Sequence, residues 1–267
     1  MKSRPQLLAP LLLSLLAPAA MANLLVVDPF DDGGVTDGAD PLDAAWGSNS
    51  GSLAVVSDAI IGSGNALEFT PGGTFRWTSA PIAAAPLTLG VGDSLSLSFT
   101  GRYSTDPGTG AGAFRFGFYD SNVNGNDSGY GAQIHGGSGG IVLVHDRNQA
   151  GKDGSPLAGA DVLILGTGAT PVSAGDSTTP AFSASFTLTR LAGGMQLDAV
   201  FNGVPFSATD PTTLFTTFDR LTIRNGNTSG AFRVDNVRVE HLVVPEPTTG
   251  ALLLVGLLAV RRVRRAD

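Results

Sequence analysis

Few side chains in this sequence can do chemistry, and they are widely spaced. The 267 residues hold three glutamates (Glu68, Glu240 and Glu246), three histidines and no cysteine. Without cysteine there are no disulfides, no thiolate catalysis, no Cys-ligated zinc and no iron–sulfur cluster. A retaining glycosidase needs two carboxylates about 5–5.5 Å apart, which on a strand calls for acids two residues apart on one face. None of the three glutamates has an acid at that spacing. Gly136-Gly137-Ser138-Gly139-Gly140 fits Gly-x-Ser-x-Gly, but Ile141–Val144 follows it and reads as a strand. A nucleophile elbow needs a helix there, so the segment reads as a Gly-rich turn. His135, His145 and Asp146 contain the groups of a two-His-one-carboxylate metal site, yet read more simply as the exposed ends of a hairpin. The expectation is a protein that is not an enzyme.

Two weaker binding candidates remain. Asp120-Ser121-Asn122-Val123-Asn124-Gly125-Asn126-Asp127 places oxygen side chains at positions 1, 3 and 5 and glycine at 6, as an EF-hand loop does. Position 12 is Gly131 instead of glutamate, and no helical pattern flanks the stretch. An ordinary Asn/Gly loop is the plainer reading; weak calcium binding by Asp120, Asn122, Asn124 and Asp127 is the alternative, and no other cofactor is expected. Tyr119 and Tyr130 bracket this loop and are the expected stacking partners of a shallow glycan site. Trp46 and Trp77 are expected in the core or at its rim.

The elements that must hold these residues read as strands. Apolar residues alternate with polar ones in Ser94–Thr100, Phe114–Phe118 and Phe182–Arg190, and Ala192-Gly193-Gly194 turns the last of these back into Met195–Phe201. Further strands are Leu221–Arg224 and Phe232–Val239. The unalternated runs Ile141–Val144 and Val162–Leu165 suit strands covered on both faces. Glycine at 36 positions and charged residues at only 15% argue against helices. The expected fold class is all-β, an antiparallel two-sheet sandwich forming one domain over residues 23–243. The order of elements resembles the concanavalin A-like (laminin G/lectin/glucanase) jelly roll. The resemblance is carried by Asp28-Pro29-Phe30-Asp31, Trp46, Asn65–Phe69, the Phe182–Phe201 hairpin and the closing Phe232–Val239 strand. A galactose-binding-like jelly roll is the nearest competitor. The resemblance implies a glycan-binding sandwich; the Glu-x-Asp-x-x-Glu strand of its glucanase members is absent.

Both ends read as addresses. Lys2 and Arg4, the apolar run Leu7–Leu16 and Ala20-Met21-Ala22 form the parts of a secretory signal peptide over residues 1–22. Signal peptidase is expected to recognise Ala20 and Ala22 and to cut after Ala22. At the other end stand Pro245-Glu246-Pro247, the apolar run Ala251–Val260 and the arginines Arg261, Arg262, Arg264 and Arg265. The run reads as a short C-terminal transmembrane helix with a basic, cytoplasmic stop. Residues 244–267 resemble the PEP-CTERM sorting signal. That resemblance implies recognition of Pro-Glu-Pro by a membrane-embedded exosortase and an association with exopolysaccharide at the cell surface. Six of the 16 basic residues and two of the 23 acids lie in these end segments, so the body carries 10 against 21, a net charge of −11. Such a body is a poor nucleic-acid binder. The expectation is an exported protein, anchored in the inner membrane before processing and then at the cell surface or outside it. There it binds or structures surface polysaccharide. A structural or adhesive protein without glycan binding is the second reading, and a glycan hydrolase or lyase a minor third.

Overall fold

A computed structural model describes residues 20–36, 42–62, 64–73, 76–104, 114–123, 126–134, 141–146, 162–167, 181–211, 215–225 and 230–245. Every regular element among them is a strand. In chain order these are β1 (Met21–Asp28), β2 (Gly47–Ser48), β3 (Gly51–Asp58), β4 (Gly64–Pro71), β5 (Trp77–Pro81) and β6 (Leu87–Thr88). There follow β7 (Ser94–Tyr103), β8 (Phe114–Val123), β9 (Asn126–Ile134), β10 (Ile141–Asp146), β11 (Val162–Thr167) and β12 (Phe182–Leu191). The last are β13 (Gly194–Phe201), β14 (Val204–Asp210), β15 (Thr217–Phe218), β16 (Arg220–Asn225) and β17 (Phe232–Val243).

They form two antiparallel sheets and a two-stranded ribbon of β15 and β6. One sheet has eight strands in the order β14-β13-β12-β7-β17-β4-β3, with β1 also paired to β17; the other has seven, β11-β10-β9-β8-β16-β5-β2. Local sequence explains much of this. The β13–β14 turn is Asn202-Gly203, both at positive φ (48° and 79°), as a two-residue hairpin of matching twist requires. In β7, Leu95, Leu97 and Phe99 are buried while the serines between them are half-buried, the two-residue period of a strand with one covered face.

The inward faces meet in an aromatic-rich core. Phe114 is its hub, with ring centroids 5.2 Å from Phe182 and 5.3 Å from Phe232, both near edge-to-face. Phe99 and Phe116 stand 5.2 Å apart in the same geometry, the arrangement aromatic quadrupoles prefer. Trp46 is buried in this core. Its Nε1–H donates to Asp28 Oδ2 at 2.8 Å, tying the 42–46 segment to the end of β1. Trp77 is half-buried on β5.

The expectation that Tyr119 and Tyr130 stack on a sugar is corrected here. Stacking needs an open ring face, and both side chains are buried. Tyr130 pairs with Phe118 across β8 and β9 and so points into the core. There its hydroxyl donates to Asp210 Oδ2 at 3.0 Å and accepts the Phe215 N–H at 3.3 Å. Tyr119 lies across Gly129 of the neighbouring strand, where a Cβ would fall 2.8 Å from the tyrosine ring. Among the described residues no helix is long and apolar enough to cross a membrane; the expected C-terminal helix lies outside them.

Candidate functional site

The outward face of the eight-stranded sheet is a field of hydroxyls. The polar phases of β7 and β12 fall in register, with Ser94 opposite Thr189, Ser96 opposite Thr187, Ser98 opposite Ser185 and Thr100 opposite Ser183. Thr189 and Thr187 continue onto Gln196 and Asp198 of β13, and these onto Thr209 and Ser207 of β14. Sheet geometry spaces such groups by about 4.8 Å across strands and about 6.8 Å along them. Thr209 Oγ1 donates to Gln196 Oε1 at 2.7 Å, and Asp198 accepts from Gln196 Nε2 at 3.2 Å and from the Ser207 hydroxyl.

Within this field lies an open depression of ≈ 320 Å³, lined by Ser98, Thr100, Ser183, Ser185, Val200 and Asn236. Its edge is shaped by a bulge in β17 between Asp235 and Arg238. A bulge of this kind re-aims the side chain it carries. Asn236 there has φ 53°, a conformation asparagine tolerates better than most residues. Both its backbone N–H (2.6 Å) and its amide nitrogen (3.2 Å) donate to the buried Asp235 carboxylate. Gly62 presses against the same carboxylate at φ +64°, where an ideal Cβ would sit 1.4 Å from Asp235 Oδ2. The Thr100 hydroxyl donates to the Asp235 carbonyl at 3.2 Å. The hydroxyls and the Asn236 amide of this lining donate and accept hydrogen bonds without titrating, beside apolar surface from Val200, Ala184 and Phe99, so the arrangement suits holding a polyhydroxylated ligand.

The acids on this face are occupied. Asp58, with 1% of its side chain exposed, accepts Arg102 Nη2 at 2.6 Å and Arg233 Nη1 at 2.8 Å; Arg233 Nε also reaches Glu68 Oε2 at 2.7 Å. Burial alone would raise the Asp58 carboxyl, but hydrogen bonds from Arg233, Arg102 and the Ile60 N–H outweigh it and hold the group below its ordinary value. Glu240 pairs with Arg238 through the Arg238 Nε at 2.9 Å. Glu68 and Glu240 are therefore engaged in ion pairs.

The remaining expected site residues fall as follows. Asp120 and Asn122 lie on β8 and Asp127 on β9, strands that pair as far as Val123 with Asn126, with an irregularity between Asp120 and Val123. Asn124 lies outside the described residues. No group of three His, Asp or Glu side chains that could hold a metal occurs among the described residues. Ala20 and Ala22 are exposed, and Ala22 sits in β1 opposite Leu242. A cut after Ala22 would remove the Met21–Val243 and Ala22–Leu242 pairs from the ladder. Pro245 is half-buried. Glu246, Pro247, Arg261, Arg262, Arg264 and Arg265 lie outside the described residues, as do His135 and Gly136–Gly140. The residues the sequence reading missed are Asn236, Val200 and the pairing of the two hydroxyl rows. The matching Ser/Thr phases of 94–100 and 183–189 were the available signal.

No family model matches this chain, and no curated protein matches it. Among solved structures it is similar to a carbohydrate esterase from the Shiga toxin-encoding bacteriophage phi24B, at 16% identity and TM-score 0.51, covering 82% of this chain and 99% of that one. An endo-1,3-beta-glucanase from Streptomyces sioyaensis has 13% identity and TM-score 0.49, covering 86% and 99% of the two chains. The basic winged bean lectin has 10% identity and TM-score 0.46, covering 85% and 100%. The chain is mostly β, with antiparallel sheets in a sandwich, a fold it shares with the bacteriophage esterase.

Proposed function

We propose that this chain is an exported envelope or extracellular-matrix protein that binds surface polysaccharide through the outward face of its eight-stranded sheet. The carrying observation is the register that aligns the hydroxyl rows of β7 and β12 beside the Asn236 depression. Sugar hydroxyls both donate and accept, and a dense array of serine, threonine and amide groups answers them in kind. Strand-borne groups are also held more rigidly than loop-borne ones, which lowers the ordering cost of binding. The address segments support the setting: a signal peptide delivers the sandwich across the inner membrane, and an exosortase-type enzyme recognises Pro245-Glu246-Pro247. Calcium at Asp120, Asn122, Asn124 and Asp127 is a subsidiary proposal that the same experiment tests.

The test is retention of residues 23–244 on the producing cell's own exopolysaccharide, with calcium and with chelator. A variant carrying Ser98→Ala, Ser185→Ala and Asn236→Gly removes three hydrogen-bonding groups, and glycine keeps the left-handed backbone at 236. Each lost hydrogen bond is worth about 0.5–1.5 kcal/mol, so affinity falls at least about tenfold. Unchanged affinity of the variant rejects this face as the site. Retention abolished by chelator assigns the binding to calcium and directs mutagenesis to Asp120. No retention of the parent leaves the structural or adhesive reading.

A further inference from the structure

Both ends of the sandwich leave it at one place. Met21 opens β1 directly opposite Val243 at the close of β17. Around this exit stand Val91, Leu191, Leu242 and Val244, all exposed, Val91 at 46%. They come from three segments: the β6–β7 connection, the end of β12 and the end of β17. Tertiary structure, not local sequence, has gathered them.

The gathering is held by Asp93, whose buried carboxylate accepts the Val244 N–H at 2.8 Å and the Gly90 N–H at 2.8 Å. Its backbone carbonyl accepts the Arg190 N–H at 2.9 Å, and the Arg190 carbonyl accepts the Gly92 N–H at 2.8 Å. Gly92 approaches Val244 so closely that a Cβ would stand 3.3 Å from the valine Cβ. The collar is a fixed surface. The turn Leu191-Ala192-Gly193-Gly194 and the connection Leu89-Gly90-Val91-Gly92 carry no charge, on a body of net charge −11. Exposed aliphatic groups clustered in so acidic a protein mark a covered surface.

The flanking sequence indicates what covers it. The apolar run Ala251–Val260 starts seven residues beyond Val244. At the extended limit of about 3.5 Å per residue, the collar stays within about 25 Å of that apolar segment. We infer that the collar is a lipid-contact surface, resting on the bilayer that receives the apolar tail; this inference rests on the membrane reading of that tail. An acidic body is repelled by anionic lipid, so one uncharged, apolar end fixes which way the domain faces. The hydroxyl rows then run away from the membrane, from Ser94 beside the collar to Thr100 about 20 Å further out.

The absence of native cysteine allows single-site labelling of the full chain in vesicles of phosphatidylethanolamine and phosphatidylglycerol. An environment-sensitive fluorophore is placed at Val91→Cys, at Leu191→Cys, and at Pro205→Cys near the other end of β14. The expected result is blue-shifted emission, quenched by a lipid-borne quencher, at the first two positions and not at the third. Val91→Glu combined with Leu191→Glu should drop the quenching of a probe at Leu242→Cys to the Pro205 level while the protein still floats with vesicles. Equal emission at all three positions in floating protein overturns the collar contact and leaves the tail reading intact. Failure to float overturns the tail reading and the collar contact with it. A blue shift that needs no lipid and rises with protein concentration assigns the collar to a second copy and overturns the lipid assignment.

Discussion

Asp28 should make this fold more stable in mild acid than at neutral pH. Its carboxyl is buried at the end of β1, and burial pushes it from 3.8 up to about 6. Hydrogen bonds from Trp46, Phe30 and Ala44 partly counter that rise, and the nearby Asp43 adds to it. Between about pH 4 and 6 the folded chain therefore keeps a proton that the unfolded chain has released. Its stabilising contribution is full below about pH 4 and is lost as pH rises towards 6. At about 1.4 kcal/mol for each unit of pH, a shift of about two units amounts to about 3 kcal/mol. Asp28→Asn keeps the shape and an oxygen acceptor for Trp46 Nε1 but cannot titrate. Any fixed penalty of turning the amide nitrogen toward Phe30 or Ala44 offsets the two stability curves by a constant and leaves their slopes alone. Urea unfolding of both proteins from pH 4 to 7, followed by tryptophan fluorescence, gives the difference directly. The variant should gain about 3 kcal/mol on the parent across that range. A difference that stays constant with pH would refute the protonated, buried Asp28.

The Asp58 cluster predicts the opposite pH slope. Its carboxyl sits below the ordinary value, so its contribution is present above about pH 4 and fades as pH falls further. Asp58→Ala leaves Arg102 and Arg233 facing each other without their shared acceptor; because both arginines are partly exposed, a loss of about 2–4 kcal/mol is expected. Urea melts should show that loss at pH 7 and a progressively smaller one as pH falls below about 4. Phe114→Ala opens a cavity among five aromatic rings. It should destabilise by about 3–5 kcal/mol, or about 10 °C in Tm by calorimetry.

Where polar and apolar residues alternate, the strands were legible. Ser94–Thr100 lies within β7, and the Phe182–Phe201 hairpin appears with its turn at Ala192-Gly193. The break of phase in Phe232-Arg233-Val234-Asp235-Asn236-Val237, where the apolar position jumps by three, was a readable sign of the bulge that carries Asn236. Two features escape the sequence for different reasons. Tyr119 and Tyr130 flank a polar loop, which in sequence suggests open ring faces, yet Tyr130 shares the inward phase of its cross-strand neighbour Phe118. The depression was invisible because Ser98, Ser185 and Asn236 come from three strands, and nothing local says that β12 and β17 flank β7. The same applies to the collar, whose members become neighbours only when Asp93 joins Val244 to the end of β12.

The position of β17 constrains when the protein can become whole. The last described strand is inserted between β7 on one side and β4 with β1 on the other. Until it arrives, β14-β13-β12-β7 ends in one unsatisfied edge, β4 offers another, and β1 has no mate at all. A chain threaded through a membrane from its N-terminus would thus emerge almost completely before its larger sheet could close. Contacts of such long sequence separation form slowly, and open edges invite pairing with other chains in the interval. Refolding yield should therefore fall with protein concentration, and a chain cut before Phe232 should lack a single cooperative transition. In this protein the far end of the sequence is the keystone of the fold.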